Sequence, residues 1–278
     1  MPTTQTAREA MDIDTGEIAV NIPTTDSEDV IGETLDRLAD AIAASPVSVD
    51  VLRVVDDDST DETVAIVRER AQAYGWDVDD ISRPTSLSEA RQLLVDRTEA
   101  DWFLFLDDDV RLTDGYLRRV WDVVGNGDAI GAVQGRKHSR DEHPSEWTRR
   151  RARRGGTHAT LVRTTAVAGI EYPEALTVLE DEFTRRYVEG NGYLWVFDHQ
   201  ARFEHHNQGR HPIGWEEGVC AGAFGLAPAH QYALTIPHAL ATGRNPIPHA
   251  MRLLGWVAGR FGARETGIQQ RPTGEVRE

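Results

Sequence analysis

Three consecutive aspartates, Asp107-Asp108-Asp109, close an apolar run, Trp102-Phe103-Leu104-Phe105-Leu106. A buried strand that ends in carboxylates brings like charges close together, which is unfavourable unless a cation or hydrogen-bond donors compensate. A divalent metal, Mg²⁺ or Mn²⁺, is the natural partner for such oxygens. A second triple, Asp56-Asp57-Asp58, ends the run Val49 to Val55, and a third acidic group, Glu180-Asp181-Glu182, lies downstream. Standing alone, three aspartates make an ordinary solvated turn; the apolar residues before them favour a ligand site. His199, His205, His206 and His211 also gather late in the chain. Zinc is the weaker alternative for them, because they lack the helical spacing that such sites often use.

Elements of alternating type must position these groups. Ile18 to Ile22 forms a first strand, closed by Pro23 and a Thr24-Thr25-Asp26-Ser27 cluster suited to capping a helix over 28–44. That helix carries Ile31, Leu35, Leu38 and Ile42 on one stripe. A second strand over 49–55, a helix over 63–74, a short strand over 78–81 and a helix over 88–98 precede the 102–106 strand, and a helix over 114–124 follows it. Strands are expected at 130–135, 160–163, 194–197 and 201–205, with a helix over 180–189. Strand–helix alternation implies a mostly parallel sheet. Ligands of such sheets lie beyond the carboxyl ends of the strands. The 56–58 and 107–109 clusters therefore face one edge and share one cleft.

The chain has 278 residues, 40% of them hydrophobic, enough for one large α/β domain with an appendage. Its formal charge is −16, and Lys137 is its only lysine. An acidic, lysine-poor surface suits a halophilic setting, although genomic GC bias gives the same arginine preference; either way it disfavours nucleic acid as a partner. The arginine run from Arg149 to Arg154 is the exception: a solvated face, or an attractor for an anionic ligand. One cysteine, Cys220, excludes an intramolecular disulfide and suits a reducing cytoplasm. The segment Met1 to Glu17 lacks the apolar core of a secretory signal, and no stretch offers about 18 uninterrupted apolar residues for a membrane span.

Taken in order, these motifs resemble the family 2 glycosyltransferases of GT-A fold. Ile22-Pro23-Thr24-Thr25-Asp26 looks like that family's first strand end. Asp56-Asp57-Asp58-Ser59-Thr60-Asp61 resembles its second-strand motif, Ser88-Glu89-Ala90-Arg91-Gln92 its Ala-Arg-Asn helix start, and Asp107-Asp108-Asp109 its DxD motif. Leu179-Glu180-Asp181-Glu182 resembles the later Glu-Asp pair, and His205 stands where a histidine follows the last core strand. Asp26 and Gln92 depart from the usual asparagines.

The resemblance implies an inverting transferase that moves a sugar from a UDP- or GDP-linked donor to a glycan or lipid-linked acceptor. Asp109, Asp107 and His205 would hold a divalent Mn²⁺ or Mg²⁺, although His205 has a structural reading too. Thr24, Asp56, Asp57, Arg91, Asp107 and Asp108 would bind the donor nucleotide. Asp181 would be the general base; its alternative is an acidic helix start favoured by the macrodipole. The expected division is a tail over 1–16, a GT-A domain over 17–207 (a nucleotide-sugar half over 17–125 and an acceptor half over 126–207), and a helical extension over 208–278. That extension could lie peripherally on the inner face of the cell membrane, with core packing as the alternative for its apolar residues.

Rival readings fit less well. A phosphotransferase that starts from Asp-x-Asp wants Thr or Val where Arg111 stands, and a receiver domain needs a lysine after a strand, which Lys137 does not supply. A sugar-nucleotide binding module without transfer stays open. A dinucleotide oxidoreductase lacks its Gly-x-Gly-x-x-Gly turn.

Overall fold

The structure, a computed structural model, describes residues 16–138, 155–206 and 214–265. The Arg149–Arg154 run and His211 fall outside the described residues, as does the tail before Gly16.

Eight strands form one sheet in the order β3-β2-β1-β4-β7-β6-β8-β5. β1 (Gly16–Thr24), β2 (Val47–Asp56), β3 (Asp77–Ser82) and β4 (Trp102–Leu106) are mutually parallel. Their crossovers are α1 (Ile31–Ala43), α2 (Thr63–Tyr74) and α3 (Leu87–Asp96). β1 and β4 are buried on both faces, which is why each reads as a continuous apolar run rather than an alternation. Each of the five large side chains of β4 contributes about 1.5–3 kcal/mol on burial, so the strand tip that carries Asp107 is firmly anchored. On α1 the buried Ile31, Leu35, Leu38 and Ala41 recur at helical spacing and face the sheet. The α3 start is fixed by Ser86, whose hydroxyl accepts from the Glu89 amide at 3.2 Å.

The second half of the sheet is mixed. β7 (Ala159–Arg163) is antiparallel to both β4 and β6 (Ile130–Lys137), while β8 (Leu194–His205) runs parallel to β6. α4 (Tyr116–Val124) packs beneath this half, and α5 (Glu180–Gly190) precedes β8. Besides the antiparallel direction of β7, two details depart from the sequence expectation. β5 (Val110–Leu112) is a strand, antiparallel to the end of β8; three residues directly after the aspartates are too few to show a period. The late strands are one ribbon whose register with β6 shifts near Gln134 and Arg136, where Asp198 accepts from the Gln200 amide and bends the chain.

Beyond β8 come α6 (Trp215–Ala223), α7 (Ala229–Ala241) and α8 (Ile247–Glu265), a helical extension as expected. α6 and α8 cross with their backbones nearly touching through Gly218 and Gly222 on one helix and Gly255 and Gly259 on the other. A Cβ on Gly222 would sit 2.1 Å from the Trp256 carbonyl oxygen. Gly222→Val should therefore cost on the order of 1–3 kcal/mol of stability by overpacking. Gly262→Ala, where a Cβ meets nothing within 4 Å, should not destabilise; thermal denaturation of the two variants checks the contrast.

Candidate active site

A cleft of about 640 Å³ opens at the carboxyl ends of β1, β2 and β4, and Asp57 and Asp109 both line it. Two backbone bonds bring its walls together: the Asp57 amide donates to the Thr24 carbonyl, and the Asp107 amide to the His158 carbonyl, each at 2.9 Å. Thr24, Arg91, Asp107, Asp108, Asp181 and His205 also line it. Asp56 does not. It is fully buried, and its carboxylate accepts from the hydroxyls of Ser59 and Ser82, so it fixes the β2–α2 turn from beneath. Asp57 points its carboxylate toward the Thr85 amide, which donates to it at 2.7 Å.

The three adjacent aspartates are held in three different ways. Asp107 accepts from Arg91 Nη2 at 2.9 Å through Oδ1, and its Oδ2 lies 2.6 Å from His158 Nδ1. Burial alone would raise its carboxyl, but the charges and hydrogen bonds of His158 and Arg91 outweigh that and hold it well below the usual carboxylate range. Asp108 accepts from the hydroxyls of Thr24 at 2.8 Å and Ser27 at 2.5 Å, and its carbonyl accepts from Thr34 at 2.7 Å. It thereby laces the β1 turn and α1 to the tip of β4, and burial pushes its carboxyl upward in spite of the two hydroxyls. Asp109 Oδ1 lies 3.0 Å from His205 Nε2.

Arg91 is the pivot. It is 1% exposed, its guanidinium lies 4.7 Å from the Phe105 ring centroid, and its Nη2 is 4.0 Å from Asp181 Oδ1. A guanidinium buried this deeply aligns the carboxylates around it while still lining the cleft. Asp181 stands in the first turn of α5, accepts from the Thr157 hydroxyl and has its Oδ2 3.8 Å from His158 Nε2. Beside it, burial and the Asp181 charge push the Glu180 carboxyl well above its ordinary value, so this neighbour favours the neutral acid. The two departures from the family pattern have local uses. Asp26, at φ 41°, accepts from the Thr60 amide, and Gln92 ties α3 to the Ile170 carbonyl and the Tyr172 amide.

His158 carries no motif in the sequence. Only the register finds it: β7 pairs antiparallel with β4 so that Ala159 faces Leu106, which sets His158 opposite Asp107. Asp107, His158 and His205 each bring one ligand atom within 4.8 Å of the others, the one such group of three among the described residues. Carboxylate and imidazole donors together fit Mn²⁺ better than Mg²⁺, which prefers oxygen and water. Among the described late histidines, His199, His205 and His206 do not form a ligand group with one another: His199 is exposed on β8, and His206 Nε2 lies 3.3 Å from Glu204.

Burial opposes protonation of His158, but Asp107 and Asp181 overcome it and push the imidazole up to about 9 from an ordinary 6.5. The folded state holds this proton more tightly than the unfolded chain. The pair's contribution to stability is therefore full below about pH 6.5 and fades as pH rises through about 9. The difference in Tm between the wild type and His158→Gln, measured by calorimetry without divalent metal, should narrow between about pH 6 and pH 10. A difference that grew toward alkaline pH would contradict the pairing.

The family model described as Glycosyl transferase family 2 matches residues 19–178. Among solved structures, mannosyltransferase PcManGT from Pyrobaculum calidifontis, in complex with GDP-Man and Mn²⁺, is similar at 16% identity and a TM-score of 0.59, covering 90% of this chain and 75% of that one. TarS 1-349 of S. aureus in complex with UDP is 15% identical with a TM-score of 0.56, covering 90% and 92% of the two chains. Glucosyl-3-phosphoglycerate synthase from Mycobacterium tuberculosis, in complex with Mn²⁺, UDP and phosphoglyceric acid, is 17% identical with a TM-score of 0.51, covering 70% and 72%. At these identities the likeness is one of fold. No curated protein sequence matches the chain.

Proposed function

The chain belongs to glycosyl transferase family 2, with a GT-A fold and a role in glycosyl transfer; we propose that it transfers a sugar with inversion from a nucleotide diphosphate donor to an acceptor hydroxyl, assisted by a divalent cation. The observation that carries this reading is the meeting of Asp57, Asp107, Asp109, Asp181 and His205 in one cleft at the carboxyl edge of the sheet.

In this reading Thr24 and Asp57 bind the nucleotide at the β1–β2 end, where Asp57 retains carboxylate capacity beyond its bond from Thr85. Asp107, Asp109 and His205 would hold the cation, and His158 would join them on giving up the proton that otherwise pairs it with Asp107. When bound, a divalent cation supplies positive charge against the negative charge that grows on the diphosphate as the glycosidic bond breaks. Asp108 keeps the β1 turn closed on the donor, and Arg91 fixes the distance between Asp107 and Asp181 from the wall of the cleft. Asp181 takes the acceptor proton: the acceptor oxygen forms a new bond to the anomeric carbon, and the bond to the diphosphate breaks with its electron pair leaving on the phosphate oxygen. Thr157 donates to Asp181 Oδ1, so Oδ2 is the face offered to the acceptor. In-line attack of this kind inverts the anomeric centre.

The donor is a UDP- or GDP-sugar, the two nucleotides carried by the similar folds, and the acceptor a glycan or a lipid-linked alcohol. Buried Cys220, the single cysteine, supports a cytoplasmic setting.

Asp181→Asn tests the assignment. Transfer from UDP- and GDP-sugars, followed by nucleotide release in Mn²⁺, should fall about a hundredfold to ten-thousandfold. Nucleotide affinity, followed by thermal shift, should stay within about twofold, because Asp181 is assigned to the acceptor side and the shift reports binding alone. Equal loss of both would remove Asp181 from the role of base, and turnover undiminished in a chelator would remove the cation.

A further inference from the structure

The charge of this chain is not spread evenly. From Gly218 to Arg264 the sequence contains no aspartate or glutamate, although the whole chain has 46 of them and a net charge of −16. Four arginines fall in the same stretch: Arg244, Arg252, Arg260 and Arg264. Arg252 is buried with Glu217 at 3.0 Å, while Arg244 is exposed and Arg260 partly so.

The same stretch leaves apolar side chains in solvent. On α8, Ile247, Met251, Leu254 and Val257 are 65%, 40%, 55% and 41% exposed. Their spacing of four, three and three residues places them on one stripe of the helix. The packed side of α8 is taken by Gly255 and Gly259, which meet α6, and by Arg252. Trp215, at the start of α6, and Leu234 and Leu240 on α7 are exposed as well. Before Gly214, the large apolar side chains exposed among the described residues are Tyr74, Leu87 and Leu194, one each on or beside unrelated elements. The apolar exposure is thus concentrated where the acidic residues stop.

We propose that the α6–α8 extension docks on an anionic lipid surface, with the Ile247–Met251–Leu254–Val257 stripe entering the headgroup boundary and Arg244 and Arg260 facing the lipid charge. A helix with an apolar stripe flanked by arginines, whose one acidic residue is its last, Glu265, is the pattern that lies in an interface. No helix among the described residues is long and apolar enough to cross a membrane, and the contact proposed for α8 is one along its side. A second copy of the chain suits the face less well, because it would set two acid-free, arginine-bearing surfaces against each other. Glu216 and Glu217, next to Trp215, line the rim of the cleft, so a docked chain opens its acceptor side near the lipid. This last consequence rests on the transferase reading; the docking itself does not.

The test is cosedimentation of the full chain with vesicles at low salt, without donor or metal, comparing phosphatidylcholine alone with an equimolar mixture of phosphatidylcholine and phosphatidylglycerol. The wild type should bind the mixed vesicles, leave the neutral ones largely unbound and lose affinity as salt rises. Met251→Glu/Leu254→Glu should bind the mixed vesicles more than about tenfold more weakly, with unchanged Tm and unchanged donor turnover in detergent-free buffer. Arg244→Gln/Arg260→Gln, which leaves the apolar stripe intact, should weaken binding to the mixed vesicles and flatten its salt dependence. Wild type that stays in the supernatant with mixed vesicles overturns the proposal, as does binding indifferent to both double variants. A wild-type dimer in light scattering that Met251→Glu/Leu254→Glu dissociates, with no vesicle binding, overturns it in favour of self-association. Failure here with donor turnover intact refutes the docking and leaves the transferase reading standing.

Discussion

Carboxylates crowded at one edge of a sheet repel one another, and this molecule is organised around relieving that repulsion. Asp107 is tolerable at the tip of β4 because Arg91 and His158 grip its two oxygens from opposite sides. Arg91, in turn, is tolerable in the interior because Asp107 and Asp181 face it and Phe105 lies against its plane. Breaking either side strands a buried charge, which costs several kcal/mol, on the order of 3–5. The α3 crossover, the β4–β7 register and the start of α5 all converge on this one arrangement, since each delivers one of its members. Site and fold are therefore difficult to alter separately.

The division of labour among three neighbouring aspartates follows from the same constraint. Asp108 spends its carboxylate on hydroxyls of the β1 turn and stiffens the cleft wall. Asp107 is satisfied by the protein's own cations. Asp109 has His205 beside it and remains the member with most freedom to take a further ligand. Glu180, driven toward its neutral form, keeps Asp181 from facing a second full negative charge at its own helix start. Identical residue types thus differ in role through burial and partners alone.

The edge of the sheet was legible in the sequence because it is written locally. Doubly buried strands are continuous apolar runs, and Thr24, Asp57 and Asp107 to Asp109 follow them directly, so their shared edge comes from parallel strand order alone. Asp56 shows the limit of that reasoning: adjacent to Asp57, it turns inward to Ser59 and Ser82, and alternation along the strand end decides which of the two faces the cleft. His158 was invisible because its place depends on a long-range antiparallel register that no local pattern encodes. β7 lies between β4 and β6 against the direction that strand–helix alternation suggests, and the three-residue β5 is too short to carry a period. The glycine crossing of α6 and α8 was likewise unseen, since its partners lie far apart in the chain and meet only through backbone proximity.

The central claim is that the carboxylates and imidazoles of this cleft form one cation site that works with a nucleotide diphosphate. Titration of Mn²⁺ followed by electron paramagnetic resonance, with UDP or GDP present, measures that directly. The account predicts one saturable Mn²⁺ per chain, tightened by one of the two nucleotides and weakened about tenfold or more in both Asp109→Asn and His205→Ala. Manganese that stays free in the presence of both nucleotides, or that binds both variants as it binds the wild type, would contradict it.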